Sequence, residues 1–382
     1  MKIALLTDGI YPYVIGGMQK HSFNLVKYFA RNKVYVDLYH TNHSEYDISR
    51  LEFFSDDEKK YIRSIVVQFP SFGSLPGHYI RESFEYSTLI FELFSKNCSD
   101  IDFIYAKGFT AWKLLDEKRN GYQCVPVGVN FHGYEMFQKP ASLRSRMEQI
   151  LLRKPVVFNI INADYVFSYG GRITEIILNL GIKNEKIIES PAGIEKDWIV
   201  PEIHSSEGVR KFIFVGRYER RKGVEELTRV LSNLAMNNNF EFTFVGEIPE
   251  KKKILLPCVK YLGKITDGET LKSILRNSHV LVCPSYSEGM PNVILEAMAS
   301  GLAIIASDVG AINTMVNLTT GWLIKPGQTM ELKSAIINVI NMSTRDLDIL
   351  RRNALFHVRD NFLFNEVMIK LLNNISLLGL VE

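Results

Sequence analysis

The sequence is short of several features that would each have pointed to a function. No apolar run approaches the roughly 20 residues needed to span a bilayer. The opening MKIALLTDG is too briefly apolar for a signal segment and reads as a first buried strand. There are only four cysteines, Cys98, Cys124, Cys258 and Cys283, and no two are close enough to suggest a zinc or redox pair, so reduced core thiols are expected. Charge of one sign is scarce in excess: the net is +3, and outside clusters at Arg217–Lys222 and Lys251–Lys253 the basic residues are spread widely. A nucleic-acid binder should concentrate them. Solenoid repeats and low-complexity tracts are also missing. These absences leave a cytoplasmic globular protein as the expectation.

The chain has 382 residues, of which 46% are hydrophobic and 23% charged. Single cores stop growing below that length, so two domains are expected. Short apolar runs alternate with helical patterns throughout. The expected strands are Ile3–Thr7, Val34–Tyr39, Ile65–Phe69, Phe103–Ala106, Pro126–Phe131, Tyr165–Ser168 and Lys186–Glu189, then Phe212–Val215, Glu241–Val245, Lys260–Leu262, Val280–Cys283, Ala303–Ala306 and Trp322–Ile324. Continuous apolar strands alternating with helices predict parallel sheets covered on both faces. The pattern restarts: KIALLTDG opens one series and KFIFVGR another, with the polar stretch IVPEIHSSEGVRK between them as a linker. The expected division is residues 1–200 and 201–361. Ligands of such sheets bind beyond the carboxyl ends of the strands, here in a cleft between the two.

Charged residues stand at several of those strand ends. SEGMPNVILEAMASG carries Glu288 and Glu296 eight positions apart, with Pro291 and Gly301 marking a helix of about Pro291–Ser300. Gly289 lets the loop bring its backbone close to a ligand, and N–H groups of Met290, Pro291's successor Asn292, and Val293 form a positive helix start suited to anions or hydroxyls. An ordinary strand–loop–helix with a surface Glu is the plain alternative. FIFVGRYERRKG places Gly216, Arg217, Lys222 and Gly223 between a strand and a helix, which suits a diphosphate clamp of one planar fork and one point charge. Arg220 and Arg221 read as solvated. Gly16 and Gly17 follow the first strand without forming G-x-G-x-x-G, and His132 and Gly133 end a middle strand. Between Glu135 and Phe158, apolar Leu143, Met147, Ile150 and Leu151 mix with basic Lys139, Arg144, Arg146, Arg153 and Lys154. That helix either lies on an anionic membrane surface or packs, solvated, on its own domain.

These pieces, in this order and over most of the chain, resemble the family-4 glycosyltransferases, retaining enzymes of GT-B fold that use nucleotide sugars. The family's E-x7-E pattern is matched by Glu288 and Glu296, its G-R…K-G element by Gly216, Arg217, Lys222 and Gly223, its Gly-Gly loop by Gly16 and Gly17, and its His-Gly by His132 and Gly133. The resemblance implies that Arg217 and Lys222 bind the donor diphosphate. Glu296 would accept bonds from the ribose, Glu288 would lie by the donor sugar with Gly289, Met290, Pro291, Asn292 and Val293, and Gly16 and Gly17 would let the first domain close over the phosphates. His132 would face the sugar from the opposite wall, and the last helix, about Phe362–Glu382, would cross back to the first domain. The chain departs from the family in VGAINTMV, where Ala311 and Thr314 replace a second Gly and a Glu, which leaves the sugar open. No D-x-D motif stands near these residues, so no metal or other cofactor is expected beyond a UDP- or GDP-linked sugar as substrate, and the two cations would do a metal's work. The first-domain loops carry aromatics without a code for the acceptor; a glycan or a lipid-linked glycan is the expectation, with peripheral contact at the inner membrane face. Nucleotide-sugar 2-epimerases share the fold, but no residues for elimination and re-addition are identified. A non-catalytic scaffold would have had no need to keep both Glu and both cations.

Overall fold

The computed structural model describes residues 1–42, 51–73, 77–98, 100–235 and 239–378. Seven strands come first: β1 (Lys2–Leu6), β2 (Tyr35–His40), β3 (Ile62–Val66), β4 (Phe103–Lys107), β5 (Val127–Asn130), β6 (Tyr165–Ser168) and β7 (Ile187–Glu189). Six follow: β8 (Arg210–Val215), β9 (Phe240–Val245), β10 (Val259–Tyr261), β11 (Val280–Cys283), β12 (Ala303–Ser307) and β13 (Gly321–Ile324). The helices are α1 (Gly17–Arg31), α2 (Asp56–Lys59), α3 (His78–Phe94), α4 (Trp112–Arg119), α5 (Leu143–Asn162) and α6 (Arg172–Asn179), then α7 (Val224–Leu234), α8 (Gly268–Arg276), α9 (Asn292–Ala299), α10 (Ile312–Met315), α11 (Thr329–Asn341), α12 (Thr344–Asn361) and α13 (Phe364–Leu378).

The strands form two sheets, in the orders β3-β2-β1-β4-β5-β6-β7 and β10-β9-β8-β11-β12-β13. Their pairings are parallel. Each expected apolar segment overlaps an observed strand. The largest shift is at β3, which begins three residues before the expected Ile65 and ends at Val66. It is an edge strand and half exposed, so its first half (Ile62, Arg63, Ser64) lacks the apolar run that betrays a buried strand. Pro291 is the cap of α9, not its first residue.

Alternate residues of each strand feed opposite cores. On the first sheet Ile3, Leu5, Val36 and Leu38 meet Leu25, Val26 and Phe29 of α1 and Met368, Leu371 and Ile375 of α13. The other face meets Tyr86, Ile90 and Phe94 of α3 and Val156 and Ile160 of α5. On the second sheet Phe212, Phe214, Phe242 and Phe244 pack on Leu227 and Leu231 of α7 and Ile336 and Val339 of α11. Each such side chain, fully buried, contributes about 1.5–3 kcal/mol of transfer free energy. Strand order reverses between β1 and β4 in one sheet and between β8 and β11 in the other, and ligands of doubly wound sheets bind at such switch points.

The chain crosses between the sheets twice, at residues 190–209 and 362–364. The two crossings are bonded together: Ile194 N–H donates to Phe362 O (2.8 Å) and Phe364 N–H to Ile194 O (2.9 Å). The polar stretch expected as the linker is docked on α12, where Asp348 accepts from Ser206 N–H (3.1 Å) and Arg351 donates to His204 O (2.7 Å). Of the last segment, residues 379–382 lie outside the described ones, as do residues 74–76 between β3 and α3.

Candidate active site

The loops that leave the two switch points face one another. From the second sheet come the turns after β8 and β11. Gly223 sits there at φ 70°, a conformation in which a side chain would be strained and would collide with Pro284 O. That close approach brings Lys222 beside the loop after β11. Lys222 Nζ donates to Glu288 Oε1 (2.6 Å), and Ser285 Oγ donates to the same oxygen (2.7 Å). Arg221 Nη1 reaches Glu288 Oε2 (3.3 Å). The carboxylate is thus buried with both oxygens engaged. Burial alone would raise the Glu288 carboxyl, but Lys222 and Arg221 outweigh it and hold the group below the ordinary carboxylate range.

Arg221 was expected to be solvated, and here the structure differs. It pairs with Glu288, with Glu219 (2.8 Å) and with Glu135 of the first domain (3.6 Å). Arg220 was expected to be solvated too, but it grips Glu226 with two nitrogens (2.8 and 2.6 Å) and lies over the Tyr286 ring. The reason is the same for both. The short 3-10 turn at Arg220–Lys222 points three consecutive cations at carboxylates 6, 66 and 67 residues ahead of them or 2 and 86 residues behind, and local composition carries no sign of that. Arg217 is the outward member. Its side chain is 82% exposed and is tied to the other oxygen of Glu219 (2.8 Å). One ion-pair chain therefore runs Arg217–Glu219–Arg221–Glu288–Lys222. Gly216, at the end of β8, is tight: a Cβ there would lie 3.2 Å from the Phe214 ring.

From the first sheet, His132 and Gly133 meet the Gly289 turn backbone to backbone. A Cβ on Gly289 would lie 2.9 Å from His132 O, and one on Gly133 would lie 3.4 Å from Gly289 N. Gln138, which sequence reasoning missed, bridges the gap by donating to both Gly133 O (2.5 Å) and Glu288 O (2.6 Å). Behind the turn stands Gly310 at φ 58°, where any side chain would collide with the Glu288 and Gly289 carbonyls, and Ala311 N–H donates to Gly289 O (2.7 Å). Thr314 of the same segment turns its methyl toward Gly170 and Gly171 of the first domain. Met290 is buried with its sulfur against Ala192 N–H (3.1 Å), and no side chain caps the first turn of α9, where Asn292 is exposed and Val293 half-buried.

Glu296 lies one turn further along α9. With Asn292 it lines a cavity of about 90 Å³ whose far wall carries Lys20 and His21 of α1. Burial raises its carboxyl, and Lys20 partly offsets that. Gly16 and Gly17 open α1. Gly16 is fully extended at φ 173°, and a Cβ on Gly17 would meet nothing within 4 Å, so the fold itself does not require glycine at 17.

A second group escaped the sequence analysis. Lys107, the last residue of β4, is buried at the switch point of the first sheet. Its Nζ contacts His21 Nδ1 (2.7 Å) and His132 Nε2 (3.5 Å) and lies over the Tyr105 ring. His132 Nδ1 bonds the Tyr169 hydroxyl. Burial pulls the Lys107 ammonium well below its usual value, against the pull of Asp8. Burial first, and then Lys107, pull His21 and His132 well below theirs, with His21 adding to the effect at His132. Both imidazoles are therefore neutral at pH 7. The signal that could have found Lys107 is its place as a charged residue closing an apolar strand, FIYAK.

Residues 209–342 match the family model described as glycosyl transferases group 1. An uncharacterized glycosyltransferase of Methanocaldococcus jannaschii is 25% identical over 355 residues, which cover 89% of each chain. A Bacillus subtilis protein provisionally assigned as the teichuronic acid biosynthesis glycosyltransferase TuaC is 32% identical over 127 residues, but these span only 33% of this chain and 32% of that one. Among solved structures, that of Anabaena HepE in complex with UDP and glucose superimposes with a TM-score of 0.65 over 98% of this chain and 99% of that one, at 19% identity. That likeness extends over the whole chain, and the fold is GT-B. The relatives support a glycosyltransferase relationship. The helices among the described residues include none long and apolar enough to cross a membrane.

Proposed function

We propose that this chain is a retaining, metal-independent glycosyltransferase that moves a hexose or N-acetylhexosamine from a UDP- or GDP-linked sugar to a glycan or lipid-linked acceptor in cell-surface polysaccharide synthesis. The observation that carries the reading is the ion-pair chain from Arg217 to Lys222 at the β8 and β11 strand ends, facing His132 and Gly133 across the cleft. An ammonium has three donors. Lys222 uses one on Glu288, which leaves it able to meet a phosphate oxygen. Arg217 is exposed and able to swing its planar fork onto the same diphosphate. The uncapped start of α9, from Met290 to Val293, offers N–H groups to sugar hydroxyls, and Glu296 with Asn292 suits the ribose. Open space at Gly17 suits a backbone that closes over phosphates.

In the proposed reaction the acceptor hydroxyl attacks the anomeric carbon from the side on which the leaving group departs. The bond from that carbon to the diphosphate oxygen breaks, and the hydroxyl proton passes to the leaving phosphate. Arg217 and Lys222 balance the charge that develops there. Both oxygens of Glu288 are held by Lys222, Ser285 and Arg221, which suits a positioning residue and not a nucleophile. Lys107, His21 and Tyr169 would hold the His132 ring in place beside the sugar. The domain division at about residue 200, the cytoplasmic location and a peripheral membrane contact belong to the same reading.

The test is release of nucleoside diphosphate from a panel of UDP- and GDP-sugars, with and without glycan acceptors. Acceptor-dependent release with retained anomeric configuration is expected. Sugar conversion without release would mean an epimerase, and a chain with no nucleotide affinity would be a scaffold.

A further inference from the structure

The first half of α5 stands almost clear of the protein. Between Leu143 and Lys154 only Gln149 is buried, with Ser145 and Leu152 half-buried. Gln149 donates to Glu135 O (2.9 Å) and Arg153 Nε to Met136 O (2.9 Å), so the helix is anchored along that side. The opposite side carries Leu143, Met147, Ile150 and Leu151, at i, i+4, i+7 and i+8, which share one face of a helix. They are 80%, 70%, 54% and 51% exposed. Four large apolar side chains turned outward in one stripe are not what a helix packed on its own domain presents.

The charges around the stripe are one-sided. Arg146 flanks it on one edge and Arg144 on the other, Lys154 lies within it, and all three are exposed. The sole carboxylate of this half is Glu148, which is paired with Arg144 (3.0 Å). Basic side chains have long apolar stems that lie flat while their heads reach outward, an arrangement suited to an interface between water and anionic headgroups. The geometry points to this face of α5 as a docking surface for an anionic lipid bilayer, with the helix lying in the headgroup plane and Leu143, Met147, Ile150 and Leu151 inserted.

The position of the surface matters for the reaction. Glu135, which faces Arg221, and Gln138, which bonds the Glu288 backbone, lie in the segment that leads directly into α5. A bilayer under α5 would therefore bring lipid-borne acceptors to the first-domain side of the cleft. This deepens the proposed function and rests on it only for that consequence; the docking itself needs no substrate.

The test is co-sedimentation of the full chain with vesicles of phosphatidylcholine, alone or mixed with phosphatidylglycerol, alongside sedimentation velocity of the protein without vesicles and nucleotide binding. Binding to the phosphatidylglycerol vesicles at low salt is expected, weakened at high salt as surface electrostatics are screened. The Met147→Ser/Ile150→Ser/Leu151→Ser variant should lose about tenfold or more in partitioning, since membrane binding scales with buried apolar area, and Arg144→Ser/Arg146→Ser/Lys154→Ser should lose the preference for phosphatidylglycerol. Both variants should keep the wild-type melting temperature and nucleotide affinity. Failure of the wild type to bind at low salt would overturn the proposal, as would unimpaired binding by the apolar variant. A stable dimer that the apolar variant dissolves would also overturn it, because the stripe would then belong to a second copy of the chain. Lost vesicle binding with intact nucleotide binding counts against docking alone, whereas absent nucleotide binding counts against the transferase reading alone.

Discussion

Lys222 and Arg217 are assigned to the same diphosphate, yet their surroundings set them apart. Lys222 balances a buried carboxylate, whereas Arg217 is mostly in solvent. Breaking a buried pair costs about 3–5 kcal/mol when the remaining charge is abandoned. Arg221 and Ser285 would still hold Glu288, so Lys222→Ala should fall at the low end of that range. Arg217→Ala should change stability by less than about 0.5 kcal/mol, as at other exposed sites. Turnover should fall by roughly 10²- to 10³-fold in both, the cost of one missing donor to a developing anion. Denaturant titration beside steady-state rates reads the difference, and equal stability loss in the two variants would count against the ion-pair chain. Glu288 also sets a pH limit. Its folded value lies below the unfolded one, so its contribution is present above the unfolded carboxyl range and is lost as pH falls through the depressed value. Glu288→Gln should flatten that acid limb in a melting-temperature series. Around Lys107 the readout is a titration: Lys107→Met removes a positive neighbour from His21 and His132, so both imidazoles should titrate at higher pH by NMR, though burial keeps them depressed. Unmoved titrations would mean that Lys107 does not set their charge.

At the scale of elements, the strands were legible because both faces of a parallel sheet are covered, which writes each strand as an apolar run. The strand-end motifs were legible for a related reason: glycines, a proline and charges interrupt the runs where the chain turns. Partners were not legible. Nothing local in YERRKG tells that Arg221 and not Arg217 reaches Glu288, because the choice depends on the loop after β11, some 66 residues later. Gln138 and Lys107 were missed for the same reason, since each gains its role from a contact with a distant element. The Gly289 turn is a place where the two domains meet backbone to backbone. Its backbone angle does not demand glycine, but a Cβ there would press on His132 O at 2.9 Å. Gly289→Ala should therefore leave the second domain folded and hold the cleft ajar, with turnover reduced about tenfold or more if a small misplacement of the reacting groups is as costly as it commonly is. Wild-type turnover in that variant would show that the contact is dispensable.

For the whole molecule, the cavity beside Glu296 holds about 90 Å³, whereas sites for drug-sized ligands hold about 300–1,000 Å³. On the proposed reading, a nucleotide sugar would therefore need the two domains to separate before it could bind beside Glu296. The paired crossings at Ile194 and residues 362–364 are the natural pivot, being the two places where the backbone passes between the sheets. Gly193 lies in that pivot with Phe364 Cα only 2.6 Å from where a Cβ would stand. Gly193→Ala should cost about 1–3 kcal/mol of stability, as overpacking does where backbone must shift, and calorimetry would register it. All of this depends on the cleft binding a nucleoside diphosphate through Arg217 and Lys222. The most direct measurement is calorimetric titration of the wild type, Arg217→Ala and Lys222→Ala with UDP and GDP. One nucleotide is expected to bind the wild type and to lose about 1.5–3 kcal/mol in each variant, the worth of a hydrogen bond to a charged group. No binding of either nucleotide, or equal binding in all three proteins, would contradict the assignment.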